Sequence, residues 1–174
     1  HQEADRLVSL INDILRLSQL DEGGALPHEQ VSVLELAQEA ARSLTAQAAA
    51  QAVHISVTGT AGTVFGVRRL LYEIARNLCE NAVKYNVPGG SVTVEVAETD
   101  RDVTLLVRDT GIGIPEESIA HIFERFYRVD KSHSREIGGT GLGLAIARSA
   151  IVMHRGAIRV YSKENEGTTF SVRI

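Results

Sequence analysis

Asn77, Asn81 and Lys84 stand four and then three residues apart in the run Asn77-Leu78-Cys79-Glu80-Asn81-Ala82-Val83-Lys84-Tyr85. On a helix that spacing puts the three side chains on one stripe. Amide oxygens are hard ligands suited to Mg2+, and an ammonium group beside them can pair with phosphate. Leu71, Ile74, Leu78 and Ala82 form the neighbouring apolar stripe, the one a sheet would cover. Taken alone, the polar stripe reads more simply as a solvated helix face. Cys79, with no base patterned around it, reads as a small core residue and not as a nucleophile.

Two glycine-bearing segments add chemistry of another kind. Asp109-Thr110-Gly111-Ile112-Gly113-Ile114-Pro115 follows a predicted strand. Its glycines allow the backbone to bend tightly against a flat ligand, and its carboxylate can accept from an exocyclic amine such as that of adenine. A surface turn would show the same residues. Gly138-Gly139-Thr140-Gly141-Leu142-Gly143-Leu144 opens directly into a predicted helix, where bare N–H groups favour an anion. No Gly-Lys-Ser/Thr follows and no strand precedes it, so it is neither a Walker A loop nor a dinucleotide fingerprint.

These groups need a scaffold, and the chain is long enough to build one. Its 174 residues and 18.8 kDa suit one compact domain with an attached element, and 44% hydrophobic against 23% charged residues excludes wholesale disorder. A single cysteine excludes an intrachain disulfide framework or a multi-cysteine zinc site. The formal charge of -4 disfavours a nucleic-acid partner, and no apolar run is long enough to cross a membrane.

Leu7, Leu10, Ile11, Ile14 and Leu17 mark an amphipathic helix over the first ~20 residues, stopped at Asp21-Glu22-Gly23-Gly24. Its apolar stripe needs a partner, either the following domain or another helix. From Val31 the chain reads as one α/β domain. We expect a strand at Val31–Val33, an alanine-rich helix from Leu34 to Gln51 and a strand at His54–Thr58. A long helix from Val67 to Tyr85 follows, then strands at Val92–Val96 and Val103–Val107. A helix from Gly141 to His154 and two closing strands, Ala157–Tyr161 and Thr168–Ile174, complete the domain. The polar, aperiodic stretch from Val129 to Thr140 reads as a loop.

In order and spacing these motifs resemble the catalytic, ATP-binding domain of bacterial two-component sensor histidine kinases. That family shares a nucleotide-binding fold with gyrase, the mismatch-repair ATPases and the heat-shock chaperone ATPases. Asn77-x-x-x-Asn81-Ala82-x-Lys84-Tyr85 is similar to its N box and Asp109-x-Gly111-x-Gly113 to its G1 box. Phe123-Glu124-Arg125-Phe126-Tyr127-Arg128 is similar to its F box, Gly139-Thr140-Gly141-Leu142-Gly143-Leu144 to its G2 box, and Gly167-Thr168-Thr169-Phe170 to its closing strand.

The resemblance implies an α/β two-layer sandwich of the Bergerat type, a mixed sheet covered on one face by helices and preceded by an N-terminal helix. Residues 1–22 would be the end of the second dimerisation helix, 23–30 a linker and 31–174 the catalytic domain. Bound ATP and Mg2+ are implied, with Asn81 and Asn77 as metal ligands, Lys84 and Tyr85 on phosphate and ribose, and Asp109 on the adenine amine with Thr168 in support. Gly111, Ile112 and Gly113 would line the base. Gly139, Thr140, Gly141, Leu142, Gly143 and Leu144 would form the phosphate-facing lid base, and Arg128 would balance γ-phosphate charge during transfer.

The implied reaction moves the γ-phosphate of ATP to a histidine on the protein's own phosphoacceptor domain, and onward to a response regulator. None of the six histidines, His1, His28, His54, His121, His133 and His154, sits in the family's acceptor motif. The acceptor is therefore expected outside this chain, which would not phosphorylate itself. The whole protein is expected to be a membrane-anchored homodimer with this portion cytoplasmic. The chain itself would be a monomer, or a weak dimer through Leu7, Leu10, Ile14 and Leu17. Three rivals share the nucleotide fold or its remnant. Lys84-Tyr85 and the first helix argue against a serine kinase of the anti-sigma-factor type, Asn77 in place of a glutamate against a gyrase-type ATPase, and the intact boxes against a degenerate nucleotide-sensing or docking module.

Overall fold

Val92, Val94 and Val96 recur at every second position and are buried, while Glu95 between them is exposed. That is the signature of a strand with one dry face. The computed structural model describes residues 2–21, 26–129 and 140–174, and its main sheet is built from such strands. They are β2 (His54–Gly59), β4 (Ser91–Glu98), β5 (Val103–Asp109), β6 (Ala157–Lys163) and β7 (Gly167–Arg173). The spatial order is β2-β4-β5-β7-β6, with β2 parallel to β4 and every other pair antiparallel.

Helices α2 (Val33–Ser43), α4 (Arg68–Lys84) and α6 (Gly143–Met153) bury their apolar sides against the dry face. Leu71, Ile74, Leu78 and Ala82 lie in that core as the stripe predicts, together with Phe170 and Val172 from β7. The opposite face carries Glu95, Arg108, Arg159 and Arg173, all exposed. The architecture is the expected one. Cys79 is fully buried, and burial pushes its thiol up to about 12, which makes it inert.

The chain departs from the expected pattern in its first third. The alanine-rich helix is two helices, α2 and α3 (Thr45–Ala50), meeting at the fully buried Leu44. Ser43 Oγ donates to Ala40 O at 2.6 Å and Thr45 Oγ1 to Arg42 O at 2.9 Å, so both hydroxyls compete for carbonyls at the break. The strand expected at Val31–Val33 is β1 (Glu29–Ser32), and Val33 already begins α2 with Ser32 as its cap. β1 pairs antiparallel with β3 (Thr63–Gly66), a four-residue strand the sequence does not announce. A short helix, α5 (Glu116–Ile119), follows Pro115.

His154, at the end of α6, is a hydrogen-bonded ring. Val67 N–H donates to Nε2 at 3.0 Å, so the proton sits on Nδ1, 2.7 Å from Ala150 O. That bond ties the start of α4 to the end of α6.

The first helix, α1 (Gln2–Asp21), packs on α6. Leu17 is 3% exposed among Leu142, Ala145 and Ile146, with Leu10 and Leu20 beside it. The stripe proposed for a dimer is therefore split. Leu10 and Leu17 face the chain's own domain, while Leu7 and Ile14 remain exposed with Val8, Ile11 and Leu15. Leu17→Ala should cost the docked helix about 3 kcal/mol, whereas Leu15→Ala should cost little. Hydrogen exchange over residues 2–21 checks this: faster exchange in the first variant only is the expected result.

Candidate active site

Strand register brings the first two site residues together. Asp109, the last residue of β5, pairs with Thr168 near the start of β7. Asp109 Oδ1 accepts from the backbone N–H of Gly111 at 2.9 Å and of Thr168 at 3.2 Å. Thr168 thus supports the carboxylate through its backbone, while its hydroxyl lies 2.8 Å from Ser162 Oγ. Asp109 is 8% exposed, and burial raises its pKa to about 6 against the lowering pull of those two N–H groups. No buried side-chain oxygen among the described residues lacks a partner. With Oδ1 saturated, Oδ2 is the oxygen that Asp109 turns to the open cleft.

The glycines after Asp109 are there for close approach. A Cβ on Gly111 would stand 2.2 Å from Tyr85 O, and one on Gly113, whose φ is +70°, 2.1 Å from Lys163 O. No other residue fits either place. Their turn is locked by Ile112 N–H donating to Tyr85 O at 3.0 Å and Ile114 N–H to Ser162 Oγ at 2.8 Å.

The cleft has a volume of about 1120 Å3. From α4 it receives Asn77, Asn81 and Lys84, with Tyr85 at the cap. From the turn come Asp109, Ile112 and Gly113, and Thr168 is added from β7. Thr140, Gly141, Gly143 and Leu144 line it at the start of α6, and Tyr127 and Arg128 close the rim. Two expected residues act from behind the wall. Gly111 holds Asp109, and Leu142 is fully buried under α1. Gly139 lies outside the described residues, as do His1 and His133.

Three participants carry no mark in the sequence. Ser162 anchors the turn after Asp109; its one signal is a hydroxyl on the inward register of β6, after Ile158 and Val160. Glu80 lines the cleft and bridges Arg76 at 2.7 Å and Lys84 at 3.1 Å. Helix α1 supplies part of the wall through Arg6, Asn12, Asp13 and Arg16.

The donor set suits a hard cation shared with phosphate. Among the described residues no cluster of three His, Cys, Asp or Glu side chains could hold a metal ion alone. Asn77 Nδ2 donates to Glu73 O at 2.8 Å, which leaves Oδ1 for the cleft, and the Asn81 amide lies one turn further along the same wall. Two amide oxygens plus phosphate oxygens and water make an acceptable shell for Mg2+.

The family described as histidine kinase-, DNA gyrase B- and HSP90-like ATPase matches residues 66–174, from the end of β3 through β7. The chain belongs to this family. Sensor histidine kinase RppB of Synechocystis sp. is 36% identical over 99% of this chain and 39% of its own length. Sensor-like histidine kinase SenX3 of Mycolicibacterium smegmatis is 37% identical over 99% of this chain and 45% of its own. The chain thus spans less than half the length of these two relatives. Among solved structures, full-length ShkA in complex with AMPPNP has a TM-score of 0.85 at 28% identity, covering 98% of this chain and 36% of that one. The mycobacterial sensor histidine kinase MprB has a TM-score of 0.74 at 29% identity, covering 85% and 97%. This family member is of the ATP-binding catalytic type found in sensor histidine kinases.

Proposed function

We propose that the cleft binds Mg-ATP and that the chain transfers the γ-phosphate to a histidine supplied by a phosphoacceptor domain of the same protein. The observation that carries this reading is Asp109: a buried carboxylate with one oxygen saturated by backbone N–H groups and the other turned to the cleft. In this reading that oxygen accepts from the adenine amino group, and Ile112 offers apolar cover to the base. Lys84, held by Glu80, adds positive charge on the phosphate side, with Tyr85 on the ribose. Gly141, Gly143 and Leu144 present the amino-terminal end of α6 to the phosphates.

Asn77 and Asn81 would hold the Mg2+, which supplies charge neutralisation to the triphosphate. Arg128 at the rim would offset charge spreading over the γ-phosphate as it transfers. In that transfer the bond from the γ-phosphorus to the bridging oxygen breaks and ADP leaves. The unprotonated imidazole nitrogen forms the new bond to phosphorus, and the proton on the other ring nitrogen is released. The chain's part is to bind, align and neutralise, which is most of what phosphoryl transfer asks of a protein.

None of the described histidines lines the cleft. His154 has both ring nitrogens engaged, and His121 pairs with Glu124 at 2.8 Å. Incubated alone with Mg-ATP, the chain should therefore show no stoichiometric phosphohistidine by mass spectrometry, and should gain activity when a phosphoacceptor domain is added. Stoichiometric self-labelling would refute the proposed division of labour. Calorimetric titration with a non-hydrolysable ATP analogue, with and without Mg2+, tests the site itself: absence of binding by folded protein would leave a docking module in a kinase fold. No described helix is long and apolar enough to cross a membrane. In this reading the whole protein is a membrane-anchored homodimer that hands its phosphoryl group to a response regulator, and residues 1–22 are the end of its second dimerisation helix.

A further inference from the structure

An unbroken run of polar contacts joins α1 to α4 at the rim of the cleft. Thr140 Oγ1 donates to Asp13 Oδ2 at 2.6 Å, and Asp13 Oδ1 lies 3.5 Å from the Arg16 guanidinium. Arg16 Nε stands 3.6 Å from Glu73 Oε1, and Glu73 Oε2 accepts from Asn77 Nδ2 at 3.2 Å. The same Nδ2 donates to the Glu73 backbone oxygen at 2.8 Å. Both hydrogens of the Asn77 amide are thus committed within α4. Its Oδ1 faces the start of α6, where a Cβ on Gly143 would come within 3.1 Å of it.

A primary amide whose NH2 group is held twice has one orientation left, and it presents only oxygen. The Glu73 side chain that does the holding is 15% exposed, and Arg16 is the cation from α1 that faces it. A free amide could turn its NH2 toward a cation, which is repulsive; a held one cannot.

We propose that Glu73 is a positioning residue. It fixes the Asn77 amide so that Oδ1 meets the metal bound with the phosphates, and Arg16 steadies Glu73 from α1. This rests on the Mg-ATP reading of the cleft. Ligand-orienting partners of this kind change metal affinity by about 10- to 100-fold when removed. A residue that merely stabilises α4 would leave the metal's contribution to binding unchanged.

The test is calorimetric titration with AMPPNP in excess Mg2+ and in EDTA, on wild type, Glu73→Gln and Glu73→Leu. The gain in affinity conferred by Mg2+ should fall about 10- to 100-fold in Glu73→Leu with binding in EDTA unchanged. Glutamine still offers an oxygen to Asn77 Nδ2, so Glu73→Gln should keep the gain. A Glu73→Leu protein that retains the wild-type gain overturns the positioning role and leaves the Mg-ATP reading intact. Wild type that binds AMPPNP with no gain from Mg2+ overturns the metal assignment and the proposal with it; wild type that binds nothing overturns the reading beneath both. A second readout needs no nucleotide. The side-chain NH2 resonances of Asn77 should stay well separated in wild type and Glu73→Gln and draw together in Glu73→Leu. Unchanged resonances in Glu73→Leu likewise overturn the proposal.

Discussion

Asp109→Asn should make the empty protein more stable at pH 8 and deprive it of nucleotide binding. The amide keeps Oδ1 as acceptor for Gly111 and Thr168 N–H, so the turn stays closed. What it loses is a buried charge. The carboxyl's pKa rises from an ordinary 3.8 to about 6 on folding, with burial as the cause. A carboxyl whose folded pKa is raised favours the folded state most when protonated. That benefit is full below about pH 4 and is lost as pH climbs through about 6. The loss amounts to up to about 3 kcal/mol above that range. Thermal melts of wild type and Asp109→Asn should therefore converge near pH 4 and separate by about 8 °C at pH 8, the variant being higher.

Binding should move the other way. The oxygen facing the cleft becomes an NH2 group, which meets the adenine amine donor against donor. Losing a charge-assisted hydrogen bond and gaining that clash should weaken a non-hydrolysable ATP analogue about a hundredfold or more. Wild-type affinity should also fall as pH drops below about 6, where Oδ2 takes up a proton, and the variant should lack this component. A variant of unchanged affinity would remove Asp109 from the site.

Phe170→Ala should have the largest effect on stability. Phe170 is 1% exposed, sits on β7 two residues after Thr168, and meets Phe123 edge-on at a centroid distance of 6.3 Å. Its removal leaves a cavity between the sheet and the segment that carries Tyr127 and Arg128. The expected cost is about 4 kcal/mol, or about 10 °C in melting temperature. Because Phe170 also lines the cleft, affinity for the nucleotide analogue should fall even well below the melting point. Phe123→Ala, whose ring is only partly buried, should cost less. Equal melting temperatures for wild type and Phe170→Ala would contradict this packing account.

Much of the site was legible because helix and strand periods carry it. Asn77, Asn81 and Lys84 share a stripe whatever the rest of the fold does, and the buried positions of α4 follow the same period one step round. Asp109 was legible as the end of a strand, but its pairing with Thr168 was not, since register between distant strands has no local signal. The break at Leu44 is a tertiary demand. Thr45–Ala50 can form a helix as readily as the residues before it, and the chain turns there where Leu44 is buried and the Ser43 and Thr45 hydroxyls take nearby carbonyls. Strand β3 exists because β1 lies against it; four residues alone do not announce a strand. Glu73 lies one helical turn before Asn77 and was within reach of the helical period. Its role becomes visible only once Arg16 arrives from α1.

The buried thiol of Cys79 has a practical consequence for watching α1 move. At neutral pH virtually none of it is thiolate, so maleimide dyes will leave it alone in the folded protein. A cysteine introduced at an exposed site, such as Val8 on α1 or Val152 on α6, would take the label by itself. Two such positions give a distance ruler across the α1–α6 seam with the native cysteine left in place. That ruler could follow nucleotide and metal titrations in solution, molecule by molecule.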